Sequence, residues 1–456
     1  MNHTRREFLR RSMWGLAGAT AMSGVIGDLR RVAAATLASN RQTNDYKALV
    51  CLFLNGGNDG SNMLVPRDNG YGEYAQQRGI LALAQNSLLP ITPNTGDGRQ
   101  FGLHSSLPGV RNLFENGKVA ILANVGPLLV PITKAQWNQG GVPVPSQLFA
   151  HDGQQSHWQT SLPDQPPATG WGGRMADLLH SINGDAPISM NISIAGANTF
   201  EVGNQVTEYH VSSSGSVGLD NYDDDPNTND GWSRLTNQIM TLESNNLFEK
   251  EFVNLKQRAI RNNRILRTAL GNTPPLVTAF PDTDFASQLK MVARLISARN
   301  ILGLRRQIFF CSVFGYDTHG AQTAAQASLL SELDGAMTAF YNATIEMGVS
   351  SEVTTFTASD FGRTYSPNSV AGTDHGWGGH HLIMGGSVRG QNIYGRVPVL
   401  TIDGPDDTGQ GRWIPTTSVD EYSATLARWF GVSESNLSLV LPNIGRFATP
   451  NIGFMN

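Results

Sequence analysis

QIFFCSVFGYDTHG, residues 307–320, runs from an unbroken apolar stretch into an acid and an imidazole, Asp317 and His319. Continuous rather than alternating hydrophobicity predicts a strand covered on both faces, as in the middle of a parallel sheet. Two metal-competent side chains then stand where the chain leaves that strand. Three distant segments share the form: ALVCLFLNGG (48–57) running on to Asp59, VTTFTAS (353–359) ending at Asp360, and GTDHGWGGHH (372–381) around His375. Open α/β sheets bind ligands outside the carboxyl ends of their strands. Four such segments predict one assembled metal site.

Outward from these segments, NLFENGKVAILANVG (112–126) reads as a short helix and a second buried strand over 119–125. APISMNISIAG (186–196) alternates as a further strand would. Helical spacing covers roughly 233–270, 284–302 and 321–347. In the second of these, Phe285, Leu289, Val292, Leu295 and Ile296 share one face. VDEYSATLARWFG (419–431) is a last helix stopped by Gly431. This alternation predicts an α/β fold with a mostly parallel central sheet flanked by helices. Residues 126–170 read as a long loop, inside which LFAHDGQQSHWQTS carries His151, Asp152, Ser156 and His157. Such a loop in a large domain is functional or disordered, and its imidazoles and tryptophans point to function. Residues 211–232 are acidic, but Asp230 stands where a calcium loop needs glycine and no glutamate closes the motif, so they read as solvated loop.

The formal charge of the 456-residue chain is −4. Thr4-Arg5-Arg6-Glu7-Phe8-Leu9-Arg10 is a twin-arginine pattern, followed by the mild apolar run MWGLAGATAMSGVIG and by Ala33-Ala34-Ala35. Residues 1–35 are therefore expected to be a twin-arginine signal peptide, and 36–456 a single domain. That leader holds six Arg against Glu7 and Asp28, so its removal leaves a charge near −8, which argues against a nucleic-acid or anionic-membrane partner. The run is too short and glycine-rich for a stable membrane anchor. The expected location is periplasmic or secreted, with the twin-arginine export machinery as a partner. Cys51 and Cys311, each inside an apolar run, read as small core residues rather than as a disulfide.

Carboxylate and imidazole donors suit zinc, manganese and related divalent ions, and the absence of thiolate ligands argues against a closed structural zinc site. Arg363, three residues after Asp360, fits two roles equally: a bidentate partner for a tetrahedral oxyanion, or an orienting partner for a carboxylate. His151 and His157 are ligand candidates or polar loop residues. Alternation allows at most one of His380 and His381 to face the site. Trp171 and Trp377, beside glycines, read as loop packing, with a substrate platform as the alternative. The chain has no GxSxG elbow, P-loop or GxGxxG turn.

The twin-arginine leader, LFLNGGNDGSN, LFAHDGQQSHWQT, TGWGGRMADL, FGYDTHGAQ, SDFGRT and GTDHGWGGHHLIMGG together resemble the bacterial DUF1501 family of exported proteins, within the alkaline phosphatase-like superfamily. The resemblance implies an alkaline phosphatase-like fold and a secreted metal-dependent hydrolase of phosphate or sulfate esters, small or polymer-borne. It implies one or two divalent ions, with Asp59 on one, Asp317, His319 and His375 on the other, and Asp360 as the acid of an Asp-His pair. His151 and Arg363 are the catalytic candidates. Two departures stand out: Phe361 replaces the histidine of the pair, and Ala150 stands where relatives often carry a serine nucleophile. Ser156, Ser61 or an activated water would have to serve instead. The alternative is a binding or assembly protein that keeps a degenerate form of the fold.

Overall fold

The computed structural model describes residues 45–94, 98–225, 227–241 and 245–456, so the expected leader lies outside the described residues. Six strands carry the main sheet: β1 (Lys47–Leu54), β2 (Val119–Gly126), β3 (Asn191–Ser193), β4 (Arg306–Val313), β5 (Val353–Ser359) and β6 (Gly379–Gly385). They lie in the order β2-β6-β5-β1-β4-β3, within a ten-stranded sheet completed by short edge strands. β1 runs parallel to both β4 and β5, and β3 parallel to β4. β6 is reversed, pairing antiparallel with β5 and β2.

The continuous apolar runs are explained by two cores. Along β1, Ala48, Val50, Leu52 and Leu54 enter one cluster, with α3 (Asp284–Ser297) and α4 (Gln322–Glu346). Leu49, Cys51 and Phe53 enter the other, with α2 (Trp171–Leu179) and α5 (Val419–Phe430). Helices thus cover both faces of a mostly parallel sheet, the α/β arrangement the sequence predicts. Cys51 is opposite Phe310 and Cys311 opposite Leu52, so the two thiols point to opposite faces; both are free and buried.

The structure corrects several boundaries. Residues 126–170 are not one loop, because α1 (His151–Thr160) lies within them, as does a short helix Lys134–Gln139. α1 buries Gly153, Gln154, His157 and Thr160 along with Trp158, so its inward face is largely polar and has no apolar period to read. The strand expected over 186–196 shrinks to β3, and the helix expected over 233–270 divides into Gly231–Thr241 and Leu247–Gly271. The acidic stretch is not wholly solvated: Asp224 is buried and paired with Arg264 and Arg267.

Candidate metal centre

Three parallel strands, β1, β4 and β5, deliver their following loops to the same edge of the sheet. The β1 loop passes under the other two. Gly56 (φ +112°) lies so close to Asp317 that a Cβ there would meet its backbone nitrogen at 2.2 Å. Gly57 (φ +91°) would bring a Cβ to 2.4 Å from the Phe361 ring. Only glycine fits both the backbone angle and the space. The loop after β5 folds back over that of β4, with the Thr373 N–H donating to Thr318 O at 3.1 Å.

This crossing brings His319 and His375 to Asp317. His319 Nε2 lies 3.0 Å and His375 Nε2 3.3 Å from Asp317 Oδ1, and the two Nε2 atoms are 2.9 Å apart. His151, the first residue of α1, enters from the side, with Nε2 3.5 Å from Asp317 Oδ2. His151, Asp317 and His375 each offer one ligand atom, all within 4.8 Å of one another. The Asp317 side chain is 41% and that of His319 47% exposed, so the cluster opens to solvent.

Each imidazole is held through its other nitrogen. His151 Nδ1 is 2.6 Å from Oδ2 of the fully buried Asp360. His375 Nδ1 is 2.7 Å from Phe149 O, and His319 Nδ1 3.1 Å from Asp374 Oδ1. Carboxylate and carbonyl oxygens only accept, so each ring donates from Nδ1, and in its neutral form would turn an Nε2 lone pair inward. With the rings neutral, three lone pairs and a carboxylate converge on one space. Such a set calls for a cation, and oxygen acceptors behind ligating imidazoles are the usual support of a metal site. Zinc bonds of 2.0–2.1 Å place neighbouring tetrahedral ligands about 3.3 Å apart, close to the 3.3 and 3.5 Å of His375 and His151 from the Asp317 oxygens.

Charge around the cluster is arranged to keep Asp317 ionised. Burial raises its pKa, but the hydrogen bond and charge of Arg363, with His319 and His151, outweigh this and hold it below the usual carboxylate range. Burial lowers the pKa of His375, keeping it neutral and fit to ligate. Phe361 walls the inner side, stacked on His375 at 4.7 Å between ring centroids and 4.9 Å from His151.

Asp59 and Asp360 do not point into the cluster. Asp59 Oδ1 caps the helix Gly60–Met63 by accepting from Ser61 N and Asn62 N, and Oδ2 takes the buried Arg78 guanidinium and the Gln322 amide. Its lone pairs are thus occupied by protein donors, a departure from its expected ligand role. Asp360 accepts from Gly56 N, Gln155 Nε2 and His151 Nδ1, and so orients a ligand rather than supplying one. Arg363 resolves toward the carboxylate partner. It is buried, with Nη1 donating to Asp317 Oδ1 at 2.6 Å and to Gly56 O, and Nε and Nη2 donating to Thr373. That commits four of its five N–H donors to the protein itself.

The remaining imidazoles lie elsewhere. His380 and His381 are inside β6, where His380 Nδ1 accepts from Asn124 N and His381 packs against Trp158. Burial lowers their pKa values to about 4 and about 3, so both are neutral core residues. His157 is buried on α1 and lowered to about 4 by the same cause. Trp171 and Trp377 are buried, their indole N–H groups donating to Trp158 O and Pro127 O, as loop packing requires. Ala150 is the exposed N-cap of α1. Ser61 is buried in the helix after β1, while Ser156 lines a separate groove with Asp152 and His157.

The family model described as "Protein of unknown function (DUF1501)" matches residues 241–435. None of the curated proteins matches the chain. Among solved structures, the chain is similar to the PsFucS1 sulfatase from Pseudoalteromonas sp. at 12% identity and a TM-score of 0.36, over 89% of this chain and 72% of that one. It is similar to Ps i-CgsB in complex with k-i-k-neocarrahexaose at 10% identity and a TM-score of 0.35, over 89% and 78%. A substituted form of the alkaline phosphatase PafA aligns at 11% identity and a TM-score of 0.30, over 71% and 64%.

Proposed function

We propose that the chain is an exported metal-dependent hydrolase of phosphate or sulfate esters, built around one divalent ion held by His151, Asp317 and His375 with His319 beside them. The observation that carries the reading is the convergence of three imidazole Nε2 atoms on the Asp317 carboxylate, each imidazole backed by an oxygen acceptor. The exposed side of the cluster leaves room for a substrate oxygen or water, as catalytic sites require. When bound, zinc or manganese polarises phosphoryl or sulfuryl oxygens and lowers the pKa of water. The substrate class follows the resemblance of the sequence motifs. Residues 1–35 are, in this reading, the twin-arginine leader, and 36–456 the exported domain. No helix among the described residues is long and apolar enough to cross a membrane.

The chain's own residues then have distinct tasks. Asp360 keeps the His151 proton on Nδ1, Phe149 O does the same for His375, and Arg363 fixes the Asp317 carboxylate. Phe361 closes the inner wall, so substrate approaches from the His319 side. Ala150 offers no hydroxyl at the start of α1, so turnover would use water rather than a covalent intermediate at that position. The same residue, with Arg363 committed to Asp317, favours a second reading: a binding protein that retains the metal centre without turnover.

Metal content of the purified protein, measured beside Asp317→Ala and His375→Ala, tests the centre. About one equivalent of metal, lost in both variants, is expected from the ligand count. Hydrolysis of aryl phosphate and aryl sulfate by the loaded protein separates the two readings. Metal without turnover favours the binding protein, and no metal uptake refutes both.

A further inference from the structure

The helix Leu247–Gly271 is rooted by its C-terminal half, where Ile260, Leu266, Ala269 and Leu270 are buried. Its N-terminal half projects, leaving Phe248 85%, Phe252 60% and Leu255 53% exposed. The helix Gly231–Thr241 beside it exposes Trp232, Leu235 and Ile239. Large exposed apolar side chains of this kind mark an interaction surface, and on the long helix Phe248, Phe252 and Leu255 form the stripe.

The sequence along the arm indicates what covers it. Phe248, Phe252, Leu255 and Ala259 follow the alternating four- and three-residue spacing of the d and a positions of a heptad. Glu249 and Lys256 then fall at e, and Glu251 and Arg258 at g. Consider a two-fold axis crossing an antiparallel pair of these helices between Val253 and Asn254. Phe252 then meets Leu255 of the second copy, and Phe248 meets its Ala259. Antiparallel pairs bring e toward e and g toward g, so Glu249 faces Lys256 and Glu251 faces Arg258. Symmetry doubles each, and every flanking pair joins opposite charges. Glu251 and Arg258 already pair within one chain at 3.5 Å, both more than half exposed, so exchanging that contact for one between copies costs little. A parallel pairing would instead bring both rooted ends, and hence both bodies, to the same side.

We propose that the 247–259 arm is a dimerisation element, two copies packing it antiparallel through Phe248, Phe252 and Leu255. Sedimentation velocity of the full chain over a concentration series, with two charge variants, tests this. Glu249→Lys/Glu251→Lys makes the flanks wholly basic, and Lys256→Glu/Arg258→Glu makes them wholly acidic. Each variant alone is expected to weaken association by about tenfold or more, and an equimolar mixture to recover it. Phe252→Glu/Leu255→Glu is expected to be monomeric, with the thermal transition of the native protein diluted to its monomer, because both side chains face solvent in the free arm. A native protein that is monomeric at every concentration overturns the proposal, as does a dimer indifferent to all three variants. Binding of the monomer to lipid vesicles, lost in Phe252→Glu/Leu255→Glu, would assign the stripe to a membrane surface and also overturn it.

Discussion

Asp360→Asn changes one atom at the back of the metal centre, and its effect can be worked from the hydrogen bonds. Asp360 is fully buried; Oδ1 accepts from Gly56 N at 3.1 Å, and Oδ2 accepts from His151 Nδ1 at 2.6 Å and Gln155 Nε2 at 2.8 Å. All three neighbours donate, and asparagine has only one oxygen. If that oxygen faces His151, the new amide meets the Gly56 N–H, donor against donor. If the amide faces His151, Nδ1 must accept, the ring proton moves to Nε2, and the nitrogen aimed at Asp317 can no longer ligate. Either way a charge-assisted hydrogen bond worth about 1.5–3 kcal/mol is lost from the loaded state. That corresponds to roughly a 10–100-fold weaker metal affinity, the usual effect of removing such a supporting carboxylate. Competition against a chromophoric chelator measures the dissociation constant. Long-range proton–nitrogen NMR of the zinc form reads which nitrogen of His151 carries the proton. An affinity within about twofold of the native value would refute the assignment of Asp360 as the support of a ligand.

Three further outcomes follow from other buried groups. Asp59→Ala is expected to keep the native metal stoichiometry but to lower stability in urea by about 3–5 kcal/mol, because it strands the buried Arg78 and uncaps the helix after β1; loss of metal at unchanged stability would reverse the role given to Asp59. The Asp420 carboxyl is pushed up by burial to about 7, from an ordinary value of 3.8. The unfolded chain therefore ionises first as pH rises, so the stabilisation is full below about pH 4 and lost by about pH 7, a change of up to roughly 4 kcal/mol. Urea unfolding at pH 5 and pH 8 should show this slope in the native protein and a flatter one in Asp420→Asn; equal slopes would contradict it. Cys51 and Cys311 should resist a thiol reagent until the protein unfolds and then both react, and a disulfide found by non-reducing mass analysis would contradict their opposed placement on β1 and β4.

How much of this was legible in the sequence depends on the range of the force involved. β1 and β4 announce themselves because burial on both faces favours apolar runs, met within eight residues, whereas β5, VTTFTAS, is just as buried but carries three threonines and a serine. The ends of those runs put Asp317, His319, Asp360 and Asp59 at one edge of the sheet, and the structure has them there. The helix carrying His151 has no such signature, since its inward face holds glutamine and histidine side chains that bond to the strand loops instead of packing in oil.

Which acid touches a metal is a different kind of question. Asp59 and Asp317 follow equally apolar strands, and both sit next to glycine-containing turns. What separates them is the partner: Arg78 reaches Asp59 from a helix nineteen residues on and fills its second oxygen, whereas Arg363 bonds only Asp317 Oδ1, which His319 and His375 also face, and leaves Oδ2 toward His151. No periodicity encodes that choice, because it is made by loops crossing at Gly56 and Gly57, where segments more than two hundred residues apart in the chain come too close to leave room for a Cβ. The same crossing explains why Phe361 is tolerated beside the centre. With Asp360 turned to His151 and Gly57 pressed on the ring, the space at position 361 is apolar, and a phenyl face against His375 and His151 stiffens the two imidazoles that must hold still for a metal to bind.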